Sequence, residues 1–233
     1  MSELLQRIEG LRRRLDRAAA DAGREPSSVH LIAVSKTFPA TLVERAAEAG
    51  LRAFGENRVQ EASDKIPMIS DRYRHEIEWH FIGPLQRNKA RRAVELCDVI
   101  HSVDRPALVD VLQRSAAALG RRPRVLVQVN VDREPQKAGA DPDDAPGLVR
   151  ALDACANLVP VGLMAIPRPA DDPEKVRPAF ARLRELRDVL ERERGRELPE
   201  LSMGMSADFE VAIQEGATWV RLGTAIFGER DKP

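Results

Sequence analysis

Lys36 ends the run Leu31-Ile32-Ala33-Val34-Ser35, a near-continuous apolar strand, and stands just before Thr37 and a helix opened by Pro39. In a (β/α)8 barrel that is the end at which strands present catalytic groups, and a lysine there is costly unless it is used. Desolvation lowers its proton affinity, and the neutral amine can attack a carbonyl to form an imine. The competing reading is a rim lysine whose stem snorkels its charge to solvent. Lysine is a minority choice in this sequence: of 37 Lys and Arg residues, only Lys36, Lys65, Lys89, Lys137, Lys175 and Lys232 are lysines.

A second constellation lies near the other end, in Leu201-Ser202-Met203-Gly204-Met205-Ser206-Ala207-Asp208 and Trp219-Val220-Arg221-Leu222-Gly223-Thr224-Ala225-Ile226-Phe227-Gly228. These hold the last two apolar runs and the loops after them, where barrels frequently bind phosphate on backbone N–H groups. Ser206 can cap the following helix or offer its hydroxyl to a phosphate oxygen, and Gly223 with Thr224 would let backbone amides approach closely. The first and last strands of a barrel are neighbours, so lysine and phosphate cradle share one face. That convergence favours a phosphorylated carbonyl compound. Pyridoxal 5′-phosphate and a phosphosugar held by an aldolase-type lysine both satisfy it. Arg221, directed inward from the eighth strand, would lie against a cofactor ring rather than its phosphate. A guanidinium facing a pyridine nitrogen leaves that nitrogen unprotonated and the ring a poor electron sink. Otherwise Arg221 pairs with a carboxylate elsewhere in the barrel.

The elements that must position these residues follow from the pattern of the whole sequence. An amphipathic helix is expected over roughly residues 2–22, followed by short apolar runs at 29–35, 51–55, 78–83, 99–103, 124–131, 160–166, 200–204 and 218–223. Helical segments separate them, with Pro39 and Gly50, Asp104-Pro106 and Gly120, and Ser206 and Gly216 as start and stop signals. Eight alternating βα units mean parallel pairing by right-handed crossovers, and they can close as a single α/β (β/α)8 TIM barrel with an extra N-terminal helix. An open doubly wound sheet is the alternative, and it would lack the phosphate-site placement. The 233 residues suit one such domain, 1–233. The charged stretch 174–196 carries Val176, Phe180, Leu183, Leu186 and Leu190 at helical spacing and reads as a solvated outer helix.

Composition excludes several classes of function. Basic and acidic residues both number 37, so no global field favours nucleic acid or an anionic membrane. Met1 to Arg14 lacks a continuous apolar stretch, which gives an expectation of a cytoplasmic protein with no membrane span. Cys97 and Cys155 have no metal-type spacing and read as reduced packing residues.

Several ordered motifs together resemble the pyridoxal phosphate homeostasis protein family, which is similar to the N-terminal barrel of alanine racemase. They are Ala33-Val34-Ser35-Lys36-Thr37, Phe54-Gly55-Glu56-Asn57-Arg58-Val59-Gln60-Glu61, Trp79-His80-Phe81-Ile82-Gly83-Pro84-Leu85-Gln86-Arg87-Asn88-Lys89, Gly162-Leu163-Met164-Ala165 and the two C-terminal segments above. The resemblance covers nearly the whole sequence. It implies pyridoxal phosphate held as a Schiff base on Lys36, phosphate contacts from Ser206, Gly223 and Thr224, Arg221 near the ring nitrogen, and Asn57 and Met164 lining the ring pocket. His80 reads as a satisfied core residue rather than an acid or base.

The departure from alanine racemase is also informative. That enzyme adds a C-terminal β-domain whose tyrosine is the second acid/base at a dimer interface; here the sequence ends soon after the eighth strand, and the one tyrosine, Tyr73, precedes the third. Racemisation needs proton transfer on both faces, and Lys36 serves one. The resemblance therefore implies a non-catalytic carrier or regulator of vitamin B6 balance, a monomer, with apo pyridoxal phosphate enzymes as candidate recipients. The alternatives are a weak racemase or lyase. Lys89 and Lys137, both after strands, could take the aldehyde in transit or be exposed lysines without such a role.

Overall fold

The first strand shows how this sequence builds its sheet. In β1 (His30–Val34) Ile32, Ala33 and Val34 are all buried, because a parallel strand is covered on both faces. The structure is a computed structural model that describes residues 3–228; Met1 and Ser2, at the expected start of the opening helix and of the 1–233 domain, and residues 229–233 at its end lie outside the described residues.

After β1 come α2 (Ala40–Glu48), β2 (Ala53–Glu56), α3 (Val59–Lys65), α4 (Asp71–Arg74), β3 (Glu78–Phe81), α5 (Ala90–Leu96), β4 (Val99–Val103) and α6 (Pro106–Leu119). The second half holds β5 (Arg124–Gln128), α7 (Ala145–Asp153), β6 (Val159–Met164), α8 (Arg177–Arg194), β7 (Glu200–Ser202), α9 (Phe209–Gln214), β8 (Trp219–Leu222) and α10 (Thr224–Phe227). Each strand pairs in parallel with the next, and β8 pairs with β1 to close the barrel, with Ile32 opposite Arg221. This is the eight-stranded α/β barrel expected above.

The N-terminal helix α1 (Glu3–Asp21) buries Leu4, Ile8, Leu11, Leu15, Ala18 and Ala19 on one stripe and lies against α9 and α10. Each such leucine or isoleucine contributes roughly 1.5–3 kcal/mol by leaving water. Arg24 ties the end of this segment to the barrel by donating to the Ile213 and Ala217 carbonyls at 2.8 Å each. In α8, Phe180, Leu183 and Leu190 are buried as the helical spacing required.

Two expectations change. Strand β5 stops at Gln128 rather than Val131, because the chain beyond turns to pair with its own loop: Ala140 N–H donates to the Gln128 carbonyl and Asn130 N–H to the Ala140 carbonyl, both at 2.8 Å. Ser206 does not open a helix. α9 begins three residues later behind Asp208, whose Oδ1 accepts from Met205 N–H at 2.7 Å and closes an extra turn.

Candidate functional site

Lys36 sits in a tight turn that an ionic cluster holds in place. Its neighbour Thr37 has φ of 69°, a left-handed conformation that costs a residue with a Cβ roughly 1–3 kcal/mol. Thr37 N–H donates to the Glu61 carboxylate, and Phe38 N–H donates to the Ser35 carbonyl at 3.0 Å. Beneath the turn, buried Lys65 spends its donors on the Ser35 carbonyl (2.7 Å), Glu56 Oε1 (2.7 Å) and Glu61 Oε1 (2.8 Å). Ser35 Oγ donates to the same Glu56 oxygen at 2.7 Å. Burial pushes the Glu56 carboxyl above its ordinary value, and Lys65 and Ser35 only partly offset this.

The Lys36 side chain lines a cavity of about 340 Å³, within the range of small-molecule sites. Val34 flanks it from the end of β1 and Phe38 from the loop that follows, Asn57 and Ile82 come from the loops after β2 and β3, and Ile166 comes from the loop after β6. The remaining wall is Met205, Ser206 and Ala207 after β7, with Arg221, Gly223 and Thr224 from β8 and its loop. Asn57 is pinned from behind: a Cβ on Gly83 would lie 2.1 Å from the Asn57 carbonyl oxygen, so only glycine fits there. Among the described residues no backbone acceptor engages the N–H groups of Ser206, Ala207, Gly223 or Thr224. Thr224 Oγ1 and Ser206 Oγ meet at 3.4 Å, so the two loops converge. Four unengaged N–H donors and two hydroxyls on one wall form a cradle for an anion with several oxygens.

Arg221 reaches the cavity from inside the barrel and is itself buried. Its Nη1 donates to Ser202 Oγ at 2.7 Å and its Nη2 to the Ala165 carbonyl at 2.8 Å. Among the described residues no carboxylate forms an ion pair with it, so the alternative of a barrel-interior ion pair is set aside. Burial pulls the guanidinium down to about 10, against the more distant charge of Asp208, and it remains a cation at neutral pH.

The comparisons with known proteins agree with this geometry. The family described as alanine racemase, N-terminal domain, matches residues 7–231. A pyridoxal phosphate homeostasis protein of Pseudomonas aeruginosa is 48% identical over 232 residues, covering 99% of this chain and 97% of the relative. The chain belongs to the pyridoxal phosphate homeostasis protein family. A second member, from Aquifex aeolicus, is 44% identical over 225 residues, 97% of each chain. The solved structure of PipY from Synechococcus elongatus, with PLP bound, superposes with a TM-score of 0.85 at 41% identity, covering 97% of this chain and all of that one.

Of the residues that family resemblance singles out, Lys36, Asn57, Ser206, Arg221, Gly223 and Thr224 share the one cavity. Met164 does not reach it. Fully buried, it packs with Val99 and Leu126 inside the barrel, and the residue of like strand parity that lines the cavity is Ile166. Lys89 is exposed and lines an adjoining cavity of about 630 Å³ that shares Asn57, while Lys137 is ion-paired with Glu134 at 2.8 Å. Tyr73 lies in α4 and is buried, away from the cavity wall. Cys97 is buried, its thiol pushed up by that burial, and neither cysteine is in a disulfide. Sequence reading missed Glu56, Glu61 and Lys65 as supports of the turn, and Ser202 as the partner of Arg221. The available signal for Ser202 was a small polar residue at an inward position of a barrel strand.

Proposed function

We propose that this chain binds pyridoxal 5′-phosphate in the Lys36 cavity as a Schiff base with that lysine, and serves intracellular vitamin B6 homeostasis as a carrier and regulator without efficient catalysis. The observation that carries the reading is the meeting, in one cavity, of a strand-end lysine and a wall of unengaged N–H donors. Ser206, Ala207, Gly223 and Thr224 would hold the phosphate, Asn57 and Ile166 would flank the ring, and Arg221 would face its nitrogen. When bound, the cofactor supplies an aldehyde that condenses with a primary amine and releases water. Lys36 Nζ, as the neutral amine, would hold that aldehyde carbon, and a second amine competing for the same carbon would release it, so the attachment would be reversible. Arg221 offers the ring nitrogen no proton, which restrains carbanion chemistry. Among the described residues Lys36 is the one ordinary proton-transfer base on the cavity wall, which leaves the second face of a bound amino acid without one.

The same proposal makes the chain a cytoplasmic monomer, one domain over 1–233, that hands its cofactor to apo pyridoxal phosphate enzymes. Charge balance offers nucleic acid nothing, and no helix of the described residues is long and apolar enough to cross a membrane. Either Lys89 or Lys137 would take the aldehyde in transit in this scheme, the alternative being lysines with no such role. Transfer to an apo-enzyme at the wild-type rate by the Lys89→Ala, Lys137→Ala double variant removes them from the route.

The visible spectrum after incubation with pyridoxal phosphate tests the cofactor reading. A yellow band in the wild type, absent in Lys36→Ala, is expected; a colourless wild type overturns it. Incubation with a panel of L-amino acids tests the rest, and D-enantiomers formed at enzymatic rates would contradict a carrier.

A further inference from the structure

The interior of a small barrel is usually packed with branched apolar side chains. Here a line of polar groups crosses it. From Arg221 Nη1 the line runs to Ser202 Oγ (2.7 Å), then to His101 Nδ1 (3.0 Å), from His101 Nε2 to His80 Nδ1 (2.9 Å), and from His80 Nε2 to Glu78 Oε1 (2.7 Å, off the ideal hydrogen-bond line). Arg221 lies at the cavity, whereas Glu78 lies at the opposite mouth of the barrel beside Arg52, Glu76 and Trp219 and contacts Arg124. Ser202, His80 and His101 are fully buried between these ends.

The direction of every proton in the line is determined by its two ends. A carboxylate only accepts, so the His80 nitrogen facing Glu78 carries the hydrogen, and a neutral His80 then accepts at Nδ1. His101 must supply that hydrogen from Nε2, which leaves its Nδ1 an acceptor. Ser202 donates its single hydroxyl hydrogen to it and keeps its lone pairs for Arg221, which can only donate. From Arg221 to His80 Nδ1 each group is satisfied in one arrangement, with His80 Nε2 left facing the Glu78 carboxylate as a close contact rather than an aligned hydrogen bond, and both imidazoles must be neutral for it. The charged groups around the pair fit this. Glu78 and Asp98 favour protonation of His80 while Arg124 opposes it; His101 faces His80, Arg221 and Arg124, which all oppose it, and burial lowers the proton affinity of both rings.

We propose that Ser202, His101, His80 and Glu78 are positioning residues for Arg221: this one-way line fixes the plane of the guanidinium at the cavity and holds it there as an undiminished cation. The inference rests on the cofactor reading, because its consequence is tighter retention of pyridoxal phosphate. A carboxylate would hold Arg221 as firmly but would neutralise it. The neutral line gives orientation without neutralisation, and it extends to a residue at the far mouth of the barrel.

Two measurements test this together. Side-chain ¹⁵N NMR of the cofactor-free wild type at pH 7.5 should show His80 and His101 neutral with the hydrogen on Nε2. A His101 hydrogen on Nδ1, or a protonated ring, overturns the line without reference to any ligand. Pyridoxal phosphate titrations then compare His101→Leu, which removes the acceptor facing Ser202, with His101→Asn, whose Oδ1 can replace it. The expected result is an affinity at least tenfold weaker for His101→Leu and within about threefold of wild type for His101→Asn. Equal losses in both, as expected from damaged packing alone, or no loss in either, contradict the proposal. A wild type that binds no pyridoxal phosphate overturns the cofactor reading, and with it the role given to Arg221, whatever the tautomers show.

Discussion

Two buried polar groups of residues hold the two ends of this site, and they do so with opposite chemistry. Under Lys36 the support is ionic: Lys65 bridges Glu56, Glu61 and the Ser35 carbonyl between the sheet and α3. Behind Arg221 the support is neutral: Ser202, His101 and His80 lie inside the barrel, and among the described residues no carboxylate hydrogen-bonds to the guanidinium. The difference follows from what each must hold. The first constrains a backbone turn with φ of 69° at Thr37, for which strong charge-assisted bonds suffice and the sign of the charge is immaterial to the cavity. The second constrains a cation whose charge is itself the useful property.

The largest effect should come from breaking the ionic support. Lys65→Met leaves Glu56 buried without its cation and should cost about 3–5 kcal/mol in urea unfolding. Adding Glu56→Leu should recover most of that stability, because an apolar pair replaces an uncompensated charge, yet pyridoxal phosphate binding should stay weakened since the Lys36 turn has lost its clamp. Recovery of both would show that the cluster is structural filler.

Acid separates the two supports by the sign of its effect. His80 and His101 are held neutral below their ordinary value, so the unfolded chain takes up protons first and stability falls as pH drops from about 6.5 toward their lowered values, by at most about 1.4 kcal/mol per pH unit for each ring. Glu56 behaves in reverse. Its raised carboxyl contributes stability below about pH 4.3, and that contribution is lost as pH rises through its folded value. Melting temperatures from pH 8 to 5.5 should therefore decline in the wild type and decline less in His101→Asn. A flat wild-type profile would mean that the two rings are not neutral inside the barrel.

Smaller effects belong to the cavity wall. Ser206→Ala removes one hydroxyl from the proposed phosphate cradle and should weaken pyridoxal phosphate binding roughly tenfold, about 1.5 kcal/mol. Met164→Leu conserves volume one layer below the cavity, should cost under about 1.5 kcal/mol and should leave binding unchanged. A binding defect in the Met164 variant would place the cavity floor deeper than its lining residues indicate.

Much of this was legible in the sequence, for a physical reason. Parallel strands covered on both faces write eight apolar runs that punctuation separates, and the alternation of side chains along β8 turns Arg221 inward without further information. The two loops that converge on the cavity were legible because glycine, serine and threonine cluster where strands seven and eight end. What failed depended on closure. Nothing in the sequence marks Lys65 as a support until α3 folds over β1 and β2 and buries it to 6% exposure. His101 and Ser202 are 101 residues apart, and only barrel geometry makes them partners. Ser206 resembled a helix cap because Asp208, two residues on, was an equally good turn residue and took that work.

The central claim is that the aldehyde of pyridoxal phosphate is held on Lys36 and on no other lysine. Borohydride reduction of the protein incubated with equimolar cofactor, followed by peptide mass mapping, tests this directly. A single pyridoxyl adduct on Lys36, with Lys65, Lys89 and Lys137 unmodified, is the expected result. Modification spread over the surface lysines, or equal labelling in Lys36→Ala, would contradict the account.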